Sequence, residues 1–124
     1  MRVKKFGSKT WFIPDGFIPV ESSEDLISHE AVCLLNCNNE IAEIYFTIYF
    51  EDQDPLVDIE VLLEGNRTKH LKTKLIKQGD KGIPKGVPYA IKVSSNIPII
   101  VQYSRMDTTQ PANTLMTTIG HPID

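Results

Sequence analysis

The chain is short of cysteine, of long apolar runs, of helical periodicity and of positive charge, and each shortage removes a class of protein. Its two cysteines, Cys33 and Cys37, stand four apart at the end of an apolar run. Along a continuing strand their Cα atoms would lie roughly 13 Å apart, beyond disulfide reach. No second cysteine pair exists to complete a zinc site, so both read as small buried hydrophobes. The basic start, Met1 to Phe6, is followed by Gly7, Ser8 and Lys9 instead of an apolar signal core, and no run approaches membrane-spanning length. A cytoplasmic protein without membrane insertion is expected. Thirteen Lys and Arg against sixteen Asp and Glu give a net charge of −3, which argues against a dedicated nucleic-acid partner. A Ser-His-Asp or Cys-His constellation and a Gly-rich phosphate loop are also missing, so no enzyme is expected and no cofactor is called for.

What is present is alternation with period two. Ile44, Phe46, Ile48 and Phe50 point one way and Glu43, Tyr45, Thr47 and Tyr49 the other; Val57, Ile59, Val61 and Leu63 repeat the pattern against Asp58 and Glu60. Turn-forming residues from Glu51 to Pro55 join these runs into a hairpin. Further strands are expected at Thr10 to Ile13, Ala31 to Asn36, Thr68 to Leu75, Tyr89 to Ser94, Ile97 to Arg105 and Leu115 to Ile119. Gly or Pro in most connections then makes the 124 residues one all-β domain, an antiparallel β-sandwich of jelly-roll type. Pro98 cannot donate a ladder hydrogen bond, so its strand should begin there or lie at an edge. Ala31 to Leu35 and Ile97 to Val101 are apolar on both faces, which predicts cover from a loop or a second subunit. Lys77 to Pro88, with three glycines and two prolines, reads as a surface loop or a flap over a site. Asn66-Arg67-Thr68 matches a glycosylation sequon but reads as a turn entering a strand.

Four polar clusters fall at the ends of these runs: Ser28-His29-Glu30; Arg67-Thr68-Lys69-His70; Ser95-Asn96-Ile97-Pro98; and Gln102, Arg105, Asp107, Gln110 and Asn113. Packing alone does not need such residues at strand mouths, so a shared ligand site is expected, built from Trp11, His29, Glu30, Arg67, His70, Asn96, Gln102, Arg105 and Asp107. Arg67, His70, Gln102 and Arg105 would orient a polar ligand by directional hydrogen bonds. Trp11 reads first as core packing, although an indole face also suits a sugar ring. Arg105 and Asp107 would otherwise close a turn as a surface ion pair. His29, Glu30 and His70 could hold a metal in a metal-dependent enzyme only if a turn or bulge turned His29 and Glu30 to one side. The lysines at 69, 72, 74 and 77 read as a solvated edge.

In order and spacing, Trp11 with Asp15-Gly16, the Ser-His-Glu triplet, Thr47-Ile48-Tyr49, Arg67-x-Lys69-His70 and the run from Ser95-Asn96 through Gln102, Arg105, Asp107 and Gln110 resemble the sensory rhodopsin transducer family. The resemblance covers about Trp11 to Ile119. It implies a compact β-sandwich, assembly as a cyclic homotetramer, and a soluble signalling role that binds a small molecule such as a sugar or related metabolite. A protein-interaction adaptor coupled to a membrane photoreceptor and a DNA-linked regulator are the alternatives it leaves.

Overall fold

The computed structural model describes residues 6–18, 20, 29–107 and 114–123. Among the described residues ten strands follow one another: β1 (Ser8–Phe17), β2 (His29–Asn36), β3 (Ala42–Phe50), β4 (Leu56–Leu63), β5 (Arg67–Lys72), β6 (Lys77–Gln78), β7 (Lys81–Gly82), β8 (Pro88–Asp107), β9 (Thr114–Ile119) and β10 (His121–Ile123). All pairings are antiparallel. One layer runs β10-β1-β8-β3-β4 and the other β5-β2-β8-β9, so β8 belongs to both. The all-β sandwich expected from the alternation is the fold observed.

The two strands expected at Tyr89 to Ser94 and Ile97 to Arg105 are one strand of 20 residues. It pairs with β3 up to Ser95 and with β1 up to Ser94 and again, past a bulge, at Ile99, and its second half pairs with β2 from Ile100 and with β9 from Gln102. Pro98 therefore neither starts a strand nor lies on an edge strand. It sits where β8 changes partners, and there a missing N–H costs no ladder bond. The chain crosses between layers again at Gly120, between β9 and β10, where its N–H donates to the Val101 carbonyl at 2.9 Å. A Cβ there would lie 3.2 Å from the Trp11 ring.

Ile44, Phe46 and Ile48 are fully buried between the layers with Val32, Leu34, Ile91, Val93, Ile99 and Val101. The β4 pattern is shifted at its start: Leu56 is buried and Val57 exposed, the reverse of the sequence expectation. Asp58 takes a φ of 57° and the β3–β4 register slips between Phe46 and Ile48. This bulge exchanges which side chain faces the core. Expected strand 68–75 ends at Lys72 and closes in a single 3-10 turn at Thr73–Leu75. The Gly- and Pro-rich segment after it folds into the small β6–β7 ribbon, anchored by buried Ile76 and Ile83. Cys33 and Cys37 are unbridged.

Candidate functional site

Alternation along β2 sends Glu30, Val32, Leu34 and Asn36 inward, so the strand places one buried polar side chain at each end of its apolar stretch. Glu30 is 1% exposed. A carboxylate so buried needs partners. The Phe17 N–H donates to both of its oxygens at 3.0 Å, the Tyr89 hydroxyl donates to Oε1, and Arg105 Nε lies 3.4 Å from Oε2. Arg105 is Glu30's directly paired neighbour in the β2–β8 ladder, so strand register makes the ion pair. Thr73 Oγ1, in the 3-10 turn, donates to the Glu30 carbonyl at 3.3 Å and lies 3.2 Å from the Tyr89 hydroxyl. Gly16 lets the Tyr89 ring close in, because a Cβ at that position would stand 2.5 Å from the ring.

Tyr103 brings a third hydroxyl to this cluster. Its side chain is buried and its oxygen has no hydrogen-bond partner among the described residues. Burial first, and then the nearby Glu30 charge, push the Tyr103 phenol far above the usual tyrosine range. Burial and the neighbouring Glu30 charge raise Tyr89 as well. Both phenols stay neutral and able to donate. Tyr103 and Arg105 form one side of a cleft of about 120 Å³ completed by Asp15, Met116, Thr117 and Thr118. Arg105 is 24% exposed, so its guanidinium joins the buried carboxylate to the cleft. A larger open hollow, about 980 Å³, lies between the β3–β4 turn and the β6–β7 ribbon, where Gln78 Oε1 accepts from the Val57 N–H at 3.0 Å. No buried charge faces it among the described residues.

Within one chain the expected site residues do not converge. Trp11 is core: its Nε1–H donates to the carbonyls of Ser8 at 2.9 Å and Ile99 at 3.0 Å, so the indole is not a platform for a sugar ring. His70, Cys33 and Gln102 lie in register across β5, β2 and β8, and this row alternates with the inward-facing row of Val32 and Tyr103. His70 and Gln102 therefore face away from Arg105. Arg67 pairs with Asn36 at the other end of β2, roughly 20 Å from Glu30 at the usual strand rise, and donates to the Asn66 carbonyl at 3.1 Å. Asn96 stitches β8 to β3, accepting from the Glu43 N–H at 2.8 Å and donating to its carboxylate at 3.0 Å.

His29 and Asp107 lie in β2 and β8, with side chains outside the described residues, as are Ser28, Gln110 and Asn113. The β2–β8 register is regular through His29 and Glu30, without the bulge that a shared metal would need, and His70 is on the opposite face from Glu30. No group of metal-binding side chains is found among the described residues. Arg105 pairs with Glu30 across the ladder, and both it and Asp107 lie in β8 where no turn separates them. Tyr89, Tyr103 and Thr73 went unnoticed in the sequence. The available signal was Glu30 itself, an acid in an otherwise apolar inward row.

A family model described as Anabaena sensory rhodopsin transducer matches residues 6–122. The chain belongs to this family. A crystal structure of Thermotoga maritima 1070 is similar, with 41% identity over 94% of this chain and 96% of that one and a TM-score of 0.82. The Anabaena sensory rhodopsin transducer itself is 33% identical over 88% of this chain and 96% of that one, with a TM-score of 0.74. No match is found among curated proteins. Several residues that carry the family resemblance surround the cleft: Asp15 and Arg105 line it, Glu30 holds Arg105, and Gly16 packs on Tyr89. Among the described residues no helix is long and apolar enough to cross a membrane.

Proposed function

We propose that this member of the transducer family is a ligand-sensing domain, not an enzyme, which binds a small neutral polyhydroxylated molecule such as a sugar at the Arg105 cleft. The observation that carries the reading is the Tyr103 hydroxyl, buried beside the cleft without a hydrogen-bond partner among the described residues. Such groups are rare in native proteins, and a ligand atom would complete this one. Charge selects the ligand class. Arg105 supplies one positive charge, and Glu30 and Asp15 supply two negative ones, so an added anion meets no net attraction. Hydroxyl groups can accept from Arg105 and Tyr103 and donate to Asp15. At about 120 Å³ the cleft has room for about four waters, well below the several hundred Å³ of a drug-sized pocket. It is a subsite for one end of a ligand. The domain acts in the cytoplasm as a homotetramer, with the rest of the ligand lying between subunits, and a sensory rhodopsin is the signalling partner suggested by the relative's name.

The reading is tested by thermal shift with neutral sugars, uronates and nucleotides. At about one hundred times its dissociation constant a ligand stabilises the native state by about 2.7 kcal/mol, a shift on the order of 10 °C for a domain of this size. Neutral sugars should give it, Arg105→Ala and Tyr103→Phe should reduce it, and His70→Ala should not. No shift from any neutral sugar would end the ligand reading, and a monomer in light scattering at micromolar concentration would end the tetramer.

A further inference from the structure

At about 120 Å³ the Arg105 cleft seats one end of a ligand, and a second hollow in the same chain, of about 440 Å³, lies directly beside it. Asp15 and Thr118 line both, so the two spaces share an edge. The wall of the hollow is mainly apolar: Phe12 and Pro14 come from β1, Ile119 from the end of β9 and Pro122 from β10. Topology makes the opening. β1 and β9 lie in different layers with no ladder between them among the described residues, and the chain passes from one layer to the other at Gly120, itself part of the wall. Phe12 alternates with the buried Trp11 and Ile13, so its ring is turned out of the core and is half-buried at the hollow. The β1–β10 register sets His121 opposite Phe12.

We infer that the hollow is the second half of one ligand site and takes a flat apolar ring joined to the polar end held at Arg105, so that the preferred ligand is an aryl glycoside and not a free sugar. The inference deepens the sugar reading and rests on it. Size supports the extension, because cleft and hollow together reach the several hundred Å³ typical of small-molecule sites and the cleft alone does not. Chemistry divides the two halves. The cleft offers a guanidinium, a phenol, a carboxylate and threonine hydroxyls, which are partners for sugar hydroxyl groups. The hollow offers a phenylalanine ring, two proline rings and an isoleucine, which pack on a flat ring but leave the hydroxyls of a second sugar short of partners. Ile119 is 60% exposed, and an aryl group laid over it and Phe12 removes apolar surface from water without burying a charge. Asp15 and Thr118 mark the junction of sugar and ring.

The probes are para-nitrophenyl glycosides and the methyl glycosides of the same neutral sugars, compared by titration calorimetry on the intact protein. The aryl members should bind about tenfold more tightly. In NMR spectra their shift changes should reach Phe12, Ile119 and His121, whereas those of the methyl members should stay near Asp15, Arg105 and Thr118. Ile119→Asn, at a site exposed enough to leave folding intact, should remove most of the aryl preference, while Leu62→Asn, at a comparably exposed residue of β4, should leave it unchanged. Equal binding of aryl and methyl members, or an aryl preference untouched by Ile119→Asn, would overturn the inference and leave the sugar reading standing. A disaccharide that binds more tightly than the aryl glycoside would overturn it too, by showing that the hollow takes a second sugar. So would para-nitrophenol binding as tightly as its glycosides, since the ring would then have a site of its own. Silence from every glycoside would remove the inference and the sugar reading together.

Discussion

Asn36 and Glu30 stand at the two ends of the same strand, both inward and both buried, and their surroundings differ. Asn36 is neutral and bound mostly to backbone. Its amide Nδ2 donates to the carbonyls of Glu40 at 2.8 Å, Leu63 at 3.1 Å and Glu64 at 3.3 Å, and its Oδ1 accepts from the Asn38 N–H at 3.1 Å. Asn38 in turn donates to the Pro98 carbonyl at 2.7 Å and accepts from the Asn66 N–H at its backbone carbonyl, so two turns are tied to each other and to the middle of β8. Glu30 is charged and bound mostly to side chains, one of which reaches the surface. Backbone partners hold a geometry that few substitutions can imitate. Side-chain partners link the core to a cleft and can respond to what occupies it. The first arrangement fastens the fold; the second connects it to a site.

Exchanging acid for amide at each end tests that contrast. Asn36→Asp turns a donor pair into a buried anion facing three carbonyl oxygens, so a loss of about 4 kcal/mol is expected. Urea unfolding would measure it, and an effect below that of the reciprocal change would break the comparison. Glu30→Gln keeps the shape and can still accept from Phe17 and Tyr89, losing the Arg105 charge pair at a half-open site. A loss of about 2 kcal/mol is expected, with a weakened ligand response if Arg105 is the contact.

The buried phenols add a pH signature at the Glu30 end. Folding raises the ionisation of Tyr89 and Tyr103 above the ordinary value of 10.0. Above about pH 10 the unfolded chain releases these protons while the folded chain keeps them, so the unfolded state binds fewer. Stability contributed by these groups is thus full below pH 10 and falls above it, by up to about 1.4 kcal/mol per pH unit for each group. Urea midpoints between pH 8 and 11 should show the fall, and Tyr89→Phe should lessen its slope while Tyr45→Phe, at an exposed pair with Glu60, should leave stability at neutral pH unchanged. The smallest effect belongs to the outward row. His70→Ala should change stability by less than about 0.5 kcal/mol, and a larger loss would mean that this face has a partner.

Legibility followed the range of the interactions. The β3–β4 hairpin and the inward row of β3 could be read because side-chain alternation depends on neighbours along the chain. The exchange of Leu56 for Val57 could not, since a bulge is set by the register of the opposing strand. Among the site residues, Glu30 and Arg105 were named and their partnership was missed, because cross-strand pairing carries no mark in either segment alone. Arg67, His70 and Gln102 were drawn into the same site by residue type, whereas position in the pleat sends two of them to the other face and distance along β2 removes the third.

The sequence by itself determined an all-β chain with two-sided apolar strands and a set of residues that place it in the transducer family. Those properties follow from local periodicity and from residue identity in order. Only the tertiary structure decided that β8 serves both layers, that Trp11 is core, that Tyr89, Tyr103 and Arg105 gather on Glu30, and that a hollow between β1 and β9 continues the Arg105 cleft. Each depends on which distant strands become neighbours, and that choice is made by burying the apolar rows together while giving every buried polar group the partner it requires.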